Sequence, residues 1–242
     1  MKILIIRHGD PDYSIDSLTE KGWREAEYLS ERLCKLDIKT FYVSPLGRAR
    51  DTIAPTLKKL GRTAEIMPWL REFDTHIDRP DVLNEKKVCW DWLPKDWTAE
   101  PRFYQYEHWM EPEVMANSDV PEQYHWVIEN FDKLMAENGY VRENNYYRAV
   151  KPSNDTICIV CHFGLECVLL SRLLTISPMQ LCHVLCAAPS SVSTIVTEER
   201  REGYAYFRMG AFGDTSHLYA NNDEPAFAAR FCECYTNTDE RH

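Results

Sequence analysis

Two short apolar runs stand out from the mixed pattern of hydrophobic and polar positions along the chain. Residues 3–6 and 156–161 contain few polar side chains and many β-branched ones, which is typical of strands buried on both faces of a parallel sheet. Apolar residues spaced by three and four positions elsewhere indicate amphipathic helices. Strands that alternate with helices in this way predict an α/β protein, a three-layer α/β/α sandwich around a mostly parallel central sheet.

The same patterns, together with helix-capping signals, place the other elements. Thr19 is a suitable N-cap for a helix whose apolar face runs from Trp23 to Leu36. Ser44 and Pro45 suit the N-cap and the first position of a second helix. Further helices are expected at residues 121–138, at 165–174 and from 177, and further strands at 40–43, 64–67, 192–196 and 204–209. Loops are expected at residues 10–13 and 140–152.

One long segment, residues 73–120, has no clear periodicity. Four of the seven tryptophans lie in it, namely Trp90, Trp92, Trp97 and Trp109. Long irregular segments inside a domain are often lids or binding loops, although tryptophans also form hydrophobic clusters of their own. We expect an insertion that covers the sheet edge as a lid, with some of these rings near a binding site. The whole chain, residues 1–242, is expected to form one domain.

The overall composition limits the possible functions. The 242 residues are 44% hydrophobic and 27% charged, as in ordinary soluble domains, and the net charge is −10. An acidic chain is a poor general binder of nucleic acid. An anionic substrate needs a local cluster of basic side chains, because the overall field repels it.

Targeting signals and cysteines indicate the compartment. No apolar run is long enough to span a bilayer, and no export signal is recognisable. The nine cysteines are irregularly spaced and are expected to be reduced thiols. We therefore expect a cytoplasmic protein with no membrane and no nucleic-acid partner, while the oligomeric state is not indicated.

Basic side chains that suit an anion follow three of the predicted strands. Arg7 and His8 end the first strand, His162 ends the second apolar strand, and Arg48 lies about one turn into the helix after the strand at 40–43. Because the carboxyl ends of parallel strands lie along one edge of a sheet, these four side chains should meet there. Two arginine forks and two imidazoles suit a phosphate dianion.

This cluster also contains the groups that phosphoryl transfer needs. A neutral imidazole is a nucleophile towards phosphorus, and histidine is largely neutral at physiological pH. The leaving oxygen then needs a proton, which a carboxylic acid supplies. Glu72, at the end of a strand-like segment, is the main candidate for this acid, and Asp10 is the second.

The motifs that carry this chemistry resemble those of the histidine phosphatase superfamily, the phosphoglycerate mutase-like proteins. The similarity runs from residue 2 to about residue 217 and lies in Arg7-His8-Gly9, Leu18-Thr19-Glu20-Lys21-Gly22, Ser44-Pro45-Leu46-Gly47-Arg48-Ala49, Leu70-Arg71-Glu72, His162-Phe163-Gly164 and Asp214-Thr215-Ser216-His217-Leu218. The resemblance implies that His8 carries the phosphoryl group and that Arg7, Arg48 and His162 hold the phosphate. It also implies that Glu72 supplies the acid, that His162 belongs to the catalytic set, and that neither a metal nor a cofactor is required. The role of His217 is left open.

Departures from the family pattern bear on the activity. Cys161 and Phe163 flank the second histidine where serine and glycine are usual, and Phe163 should narrow the pocket or make it more apolar. The Asn-containing loop of the mutases is missing, since residues 10–14 read Asp-Pro-Asp-Tyr-Ser. We therefore expect a metal-independent phosphomonoesterase of the histidine acid phosphatase type, which hydrolyses a small-molecule phosphomonoester through a phosphohistidine on His8. A cofactor-dependent phosphoglycerate mutase and a catalytically inactive binding protein are the alternatives.

Other interpretations of single motifs are less favourable. Residues 158–162 spell a c-type haem attachment motif, but Cys158 and Cys161 should point to opposite faces of a strand, which also argues against zinc. Arg50 and Arg71 are expected to be solvated. The remaining histidines before residue 217 lack the spacing of a metal site: His76, His108, His125 and His183.

Overall fold

The computed structural model describes residues 1–227 and 235–237 of the chain. Its strands are β1 (Lys2–Arg7), β2 (Pro11–Asp12), β3 (Ser17–Leu18), β4 (Thr40–Val43), β5 (Glu65–Ile66), β6 (His76–Ile77), β7 (Lys87–Val88), β8 (Tyr140–Glu143), β9 (Tyr146–Ala149), β10 (Thr156–Cys161), β11 (Val192–Arg201) and β12 (Tyr204–Asp214). Its α-helices are α1 (Glu20–Leu33), α2 (Gly47–Leu60), α3 (Pro94–Trp97), α4 (Glu113–Ala116), α5 (Val120–Glu137), α6 (Phe163–Leu174), α7 (Pro178–Val184) and α8 (Ser216–Tyr219). Two 3₁₀ helices within these residues cover Pro68–Leu70 and Pro101–Tyr104.

Eight strands of the described part of the chain form one sheet, in the order β5-β4-β10-β1-β11-β12-β9-β8. β1 pairs in parallel with β10, β10 with β4, and β4 with β5. The pairings on the other side of β1 are antiparallel, so β12 and β8 again run in the direction of β1. Six of these eight strands therefore share one direction, and the α/β fold with a mostly parallel sheet is confirmed.

Side chains of β1 alternate between two hydrophobic cores on opposite faces of the sheet. Ile3 and Ile5 share one core with residues of α5 and α6, and Leu4 and Ile6 share the other with residues of α1 and α2. All four are at most 3% exposed. Burial on both faces explains why this strand is a continuous apolar run.

The two cysteines of β10 also lie in opposite cores. Cys158 belongs to the core under α1 and α2, and Cys161 to the core under α5 and α6. Both are buried free thiols. The prediction that they do not share a face is confirmed, which excludes a joint role as haem or zinc ligands.

Residues 140–152, expected as a loop, contain the β8–β9 hairpin at the edge of the sheet. Tyr140 and Tyr147 are at most 2% exposed, and both rings pack edge-on against Phe207 of β12. Asn144 in the turn has a φ of 53°, a conformation that asparagine tolerates well. One face of this edge hairpin is solvated, so its polar residues concealed the strands in the sequence.

The start of α2 and the segment before Glu72 also differ from expectation. α2 begins at Gly47 with Leu46 as its N-cap, so Ser44 and Pro45 precede the helix. β5 has only two residues and is followed by the 3₁₀ helix Pro68–Leu70. Glu72 therefore follows a 3₁₀ turn and not a strand, because the proline at position 68 favours a turn over continued pairing.

The apolar face of α1 is narrower than expected. Trp23 is 42% exposed, and Leu36 lies beyond the helix end at residue 33 and is 38% exposed. The buried positions in the first half of the helix are Gly22, Glu25 and Ala26. The close approach of Gly22 to the Asp10 backbone, where a Cβ would lie 2.2 Å from the carbonyl oxygen, turns the neighbouring tryptophan towards solvent.

The segment predicted as an insertion contains the β6–β7 hairpin, α3, α4 and a 3₁₀ helix. Trp92, Trp97 and Trp109 are at most 7% exposed and belong to the core under α5 and α6. Trp90 is partly buried and contacts the start of α6. The segment thus combines a hydrophobic cluster with one ring near the site, and a lid function stays a prediction.

The predicted domain extends to residue 242, but residues 228–234 and 238–242 lie outside the described part. Among the described residues, no helix is both long and apolar enough to cross a bilayer.

Candidate active site

Arg7 and His8 lie at the carboxyl end of β1, in the middle of the sheet. Both are 2% exposed. The Arg7 N–H donates to the Ser191 carbonyl (3.2 Å), and the His8 N–H donates to the Cys161 carbonyl (3.0 Å). The neighbouring strands therefore fix the backbone from which both side chains project.

The hydrogen bond of the His8 ring determines its tautomer. Nδ1 lies 2.8 Å from the Gly9 carbonyl oxygen, and because a carbonyl only accepts, Nδ1 carries the proton. Nε2 then has a free lone pair. Burial, with the charges of Arg7 and Arg48, lowers the pKa of His8 to about 3. The ring is therefore neutral at physiological pH and presents a nucleophilic nitrogen.

His162, the N-cap of α6, lies beside His8. The two ring centres are 5.1 Å apart, and the His162 side chain is fully buried. Its Nε2 is 2.7 Å from the Ser44 hydroxyl. Nδ1 is buried and has no hydrogen-bond partner among the described residues. Burial, together with the positive charges of Arg48 and Arg7, keeps the pKa of His162 well below its usual value.

Arg48 is the second residue of α2, and it contacts a turn that the sequence did not single out. Its Nη1 donates to Asp16 Oδ1 (2.7 Å), and the Tyr13 ring centre lies 5.3 Å from its guanidinium carbon. Arg48 is also joined to the nucleophile loop through Thr52, whose hydroxyl donates to the Arg48 carbonyl (2.7 Å) and accepts from the Gly9 N–H (2.9 Å). Hydrogen bonds through a single side chain thus connect Arg48 to the loop that follows His8.

The Glu72 side chain lies against the N-terminal end of α6. Its Oε1 accepts hydrogen bonds from the backbone N–H groups of Leu165 (3.0 Å) and Phe73 (2.9 Å). Burial raises the pKa of Glu72, although these two hydrogen bonds and the charges of Arg7 and Arg48 oppose the shift. Because two N–H groups point at Oε1, the carboxylic proton belongs on Oε2. The group is arranged as a proton donor close to both arginines.

Gly164 allows Glu72 and the insertion to approach α6. A Cβ at this position would lie 2.9 Å from Glu72 Oε1 and 2.6 Å from Trp90 Nε1. Trp90 donates from Nε1 to the Phe73 carbonyl (2.6 Å) and meets the Phe163 ring edge-on at 5.9 Å. The Arg7 guanidinium lies 5.9 Å from the centre of the Phe163 ring, so Phe163 lies against the site as the sequence suggested.

Asp10, the second candidate acid, is directed away from this cluster. Its Oδ2 accepts from the Thr19 hydroxyl (2.7 Å), and its backbone N–H donates to Glu25 Oε2 (2.8 Å). These contacts tie Asp10 to the start of α1. The geometry favours Glu72 as the acid.

Two serines that contact the site histidines were not predicted from the sequence. Ser44 looked like a helix cap but bonds to His162 instead. The Ser190 N–H donates to the His8 carbonyl (3.0 Å), and its hydroxyl lies 3.2 Å from Nε2 of His217. Ser190 has a φ of 58°, which is strained for serine. The motif around His217 hinted at a role, whereas nothing in the sequence marked Ser190.

The other arginines and histidines considered in the sequence analysis form no second site in the described part of the chain. Arg50 and Arg71 are exposed, as expected. Within residues 1–227 and 235–237, no group of three or more His, Cys, Asp or Glu side chains could hold a metal ion. His183 Nε2 accepts from the Trp92 N–H (2.9 Å), and its ring stacks on Trp97, so its role is packing.

Sequence comparison places the site in a known family. The family model of the histidine phosphatase superfamily (branch 1) matches residues 3–208. The chain belongs to this superfamily. The match includes all of the proposed phosphate-binding residues, and the resemblance inferred from the short motifs is confirmed.

Individual relatives agree on the fold and differ in activity. The chain is 23% identical over 232 residues to a probable phosphatase of Schizosaccharomyces pombe, covering 90% of this chain and 95% of the relative. It is 44% identical over 63 residues to a 2,3-bisphosphoglycerate-dependent phosphoglycerate mutase of Thermoplasma acidophilum, covering 22% of this chain and 32% of the mutase. The fold resembles a phosphoserine phosphatase from Entamoeba histolytica solved with phosphoserine, with a TM-score of 0.56, 16% identity, and coverage of 90% of this chain and 98% of the other.

Proposed function

We propose that this protein hydrolyses phosphoric monoesters through a phosphohistidine on His8. The observation that carries the proposal is the His8 ring itself. Its Nδ1 proton is held by the Gly9 carbonyl, and its ring centre lies 5.1 Å from that of His162. Nε2 is thus a neutral nucleophile next to Arg7, Arg48 and His162, which suit the oxygens of a phosphate.

In the first half-reaction, His8 Nε2 attacks phosphorus and the ester P–O bond breaks. Arg7, Arg48 and the Nδ1–H of His162 hold the non-bridging oxygens and offset the developing charge. Glu72 gives its Oε2 proton to the leaving alcohol. In the second half-reaction, the Glu72 carboxylate takes a proton from water as that water attacks phosphorus, and the N–P bond breaks to release phosphate.

We further propose that the reaction follows the metal-independent histidine acid phosphatase type and needs no cofactor. Arg7 and Arg48 already supply positive charge that a metal would otherwise provide, and the neutral imidazole of His162 adds a hydrogen-bond donor. A chain with a net charge of −10 favours a small phosphomonoester over a nucleic acid.

A phosphoglycerate mutase is the second candidate, favoured by the short stretch similar to the Thermoplasma mutase. The probable phosphatase, by contrast, is similar over 90% of this chain. The loop after Gly9 also lacks the mutase pattern, and Phe163 and Trp90 present apolar groups where a mutase must retain a sugar acid. We therefore propose water as the normal acceptor of the phosphoryl group.

The decisive experiment is rapid-quench trapping with a ³²P-labelled ester. A phosphoenzyme that is stable in base and labile in acid should form in the wild-type protein and disappear in His8→Ala. His108→Ala is the matched control, because His108 is exposed and pairs with Glu111, and this variant should keep the adduct. An acid-stable adduct, or no turnover of p-nitrophenyl phosphate, contradicts the proposal. Interconversion of phosphoglycerates faster than phosphate release would favour the mutase.

A further inference from the structure

The turn between β2 and β3 brings an acidic and an aromatic side chain to the phosphate pocket. Asp16 Oδ1 accepts from Arg48 Nη1 at 2.7 Å, and the Tyr13 ring centre lies 5.3 Å from the Arg48 guanidinium carbon. Tyr13 is 68% exposed, and the Asp16 side chain is 43% exposed. Both therefore contact the phosphate-binding arginine and still face solvent. The mechanism proposed above uses neither.

We infer that Tyr13 and Asp16 form a subsite for an ammonium group, so that the preferred substrate is a small phosphomonoester with a positively charged amine near its phosphate. The inference rests on the proposed function, since it requires a phosphate bound at Arg48. Aromatic faces bind ammonium and quaternary ammonium ions, and a carboxylate supplies the opposite charge. A phosphate and an amine on either side of the Arg48 guanidinium suit the ester of a short amino alcohol, such as phosphocholine.

The Asp16 carboxylate is held in place and is not free to swing. Its Oδ2 accepts from the Gly47 N–H at 2.6 Å, and Ser17 beside it donates to Asp51 (2.5 Å). A Cβ on Gly47 would lie 2.0 Å from the Asp16 carbonyl oxygen, so this close packing needs a glycine. The hydrogen bonds of Gly47 and Arg48 outweigh burial and keep the pKa of Asp16 below its usual value. A fixed carboxylate with lone pairs still open is a preorganised partner for a cation.

The negative charge of Asp16 also favours some classes of phosphate ester over others. Arg48 is paired with the Asp16 carboxylate at 2.7 Å, so a negative charge stands beside the arginine proposed to bind the phosphate. A second anionic group, such as the carboxylate of a phosphoglycerate, would meet Asp16 and the field of an acidic chain. A zwitterionic ester has no second anionic group, so it avoids repulsion by Asp16 and by the acidic chain.

The test compares two esters of the same shape and different charge. Phosphocholine carries a quaternary ammonium, and 3,3-dimethylbutyl phosphate replaces its nitrogen by carbon. We expect a kcat/KM for phosphocholine roughly tenfold higher than for the neutral ester, because one exposed ion pair and one cation–π contact are each modest. The difference should lie mainly in KM and should shrink with added salt.

Substitutions in and next to the turn distinguish a specific role of Asp16 from the general effect of removing one negative charge. Asp16→Asn and Tyr13→Leu should each reduce the preference for phosphocholine, and Tyr13→Phe should retain it. Asp12→Asn is the matched control, since Asp12, at the end of β2 next to the turn, carries the same charge but accepts from the Ser14 N–H and hydroxyl. It should leave the ratio of the two esters close to the wild-type value. Because Tyr13 is exposed, its variants test the inference even if Asp16→Asn fails to fold.

The outcomes distinguish the two proposals. If both esters are hydrolysed with equal kcat/KM in the wild-type protein, the ammonium subsite is wrong and the phosphatase proposal stands. If the preference survives in both Asp16→Asn and Tyr13→Leu, the subsite is likewise assigned to the wrong residues. If neither these esters nor p-nitrophenyl phosphate is hydrolysed, the proposed function fails, and the subsite fails with it.

Discussion

The hydroxyl of Ser44 lies 2.7 Å from Nε2 of His162, and both side chains are fully buried. Leu46 donates its N–H to the same hydroxyl oxygen at 3.2 Å, and we expect the hydroxyl to donate its own proton to Nε2, because Nε2 is then the acceptor that this buried proton needs. The His162 ring proton then belongs on Nδ1, the nitrogen without a partner in the described residues. We therefore expect Ser44 to orient His162 as a hydrogen-bond donor towards a phosphate bound in the proposed site.

Replacing Ser44 by alanine should weaken phosphate recognition without unfolding the site. We expect kcat/KM for p-nitrophenyl phosphate to fall about 2–10-fold, the size of one hydrogen bond, and Ser44→Thr to recover part of the loss. Inhibition by inorganic phosphate should weaken in parallel. Ser177→Ala is the control, because Ser177 is buried and donates to the Phe103 carbonyl away from the site. If both serine variants lose activity equally, Ser44 has no special role.

Glu72→Gln should separate esters by their leaving groups. In kcat/KM, which reports phosphoryl transfer to His8, alkyl phosphates need a proton on the leaving oxygen and should slow on the order of 10²–10⁴-fold, whereas p-nitrophenyl phosphate should change little. Hydrolysis of the phosphohistidine, in which Glu72 acts as the base, is common to both esters and should lower kcat for both. Because burial raises the pKa of Glu72, the wild-type protein should hold its activity on alkyl esters to a higher pH than a free carboxyl allows. Activity should then fall as the pH rises through that pKa.

The pH profile of kcat/KM for an alkyl ester provides the check, since the alkaline fall should be absent from the glutamine variant. An equal loss of kcat/KM on both kinds of ester would move the acid role to another group. Asp10→Asn is then the variant to measure next, although its carboxylate is held by Thr19.

His217 should act on catalysis through Ser190. The Ser190 hydroxyl bonds to His217, and its N–H supports the His8 carbonyl. We expect His217→Ala to lower kcat about 2–10-fold through loss of one hydrogen bond, with little change in KM, and Ser190→Ala to have a similar effect. The double variant should be no worse than either single one, because both remove the same contact. Additive losses, or an unchanged kcat, would show that the contact does not position His8.

Glu25 should make stability depend on pH. It is fully buried in α1, and burial raises its pKa to about 7, although the N–H groups of Asp10 and Ala226 bond to it. The folded state therefore binds this proton more tightly than the unfolded chain, with its ordinary pKa of 4.5. Stability from this group is fully present below about pH 4.5 and is lost as the pH rises to about 7.

Glu25→Gln keeps an acceptor oxygen and removes the charge, so its effect should grow with pH. The variant loses one of the two backbone hydrogen bonds at every pH, so the charge appears in the change with pH. We expect the free energy of unfolding of the variant, relative to the wild-type protein, to rise by up to about 3 kcal/mol between pH 4.5 and pH 8, measured by urea denaturation. Glu20→Gln, at an exposed position of the same helix, should show no such dependence. A gain that is the same at both pH values would contradict a charged Glu25 in the folded protein.

The residues that could be predicted from the sequence are those whose local pattern reports their environment. Arg7, His8 and His162 follow apolar runs, and those runs are buried because they lie inside a covered sheet. Ser44 and Ser190 have no such pattern, since their roles depend on residues far away in the chain. The hairpin of Tyr140 and its neighbours was hidden for a related reason, because one of its faces is solvated.

The contact between Asp16 and Arg48 shows the same limit. An aspartate four residues after Asp12 looks like ordinary loop polarity. The Asp16 carboxylate reaches Arg48 where Gly47 packs closely against the Asp16 carbonyl oxygen. Sequence patterns report burial and secondary structure well, whereas a contact between two loops depends on distances that the assembled fold sets.

The position of β1 has a consequence for how the chain reaches its folded state. β1 pairs with β10 and β11, whose paired residues begin at 156 and end at 196. A ribosome therefore releases this apolar strand long before either neighbour exists. Its residues 3–6 therefore stay unpaired, exposed and prone to aggregation until most of the chain has been made. Refolding should accordingly be slow because of these distant pairings, and enzymatic activity should be among the last properties to return.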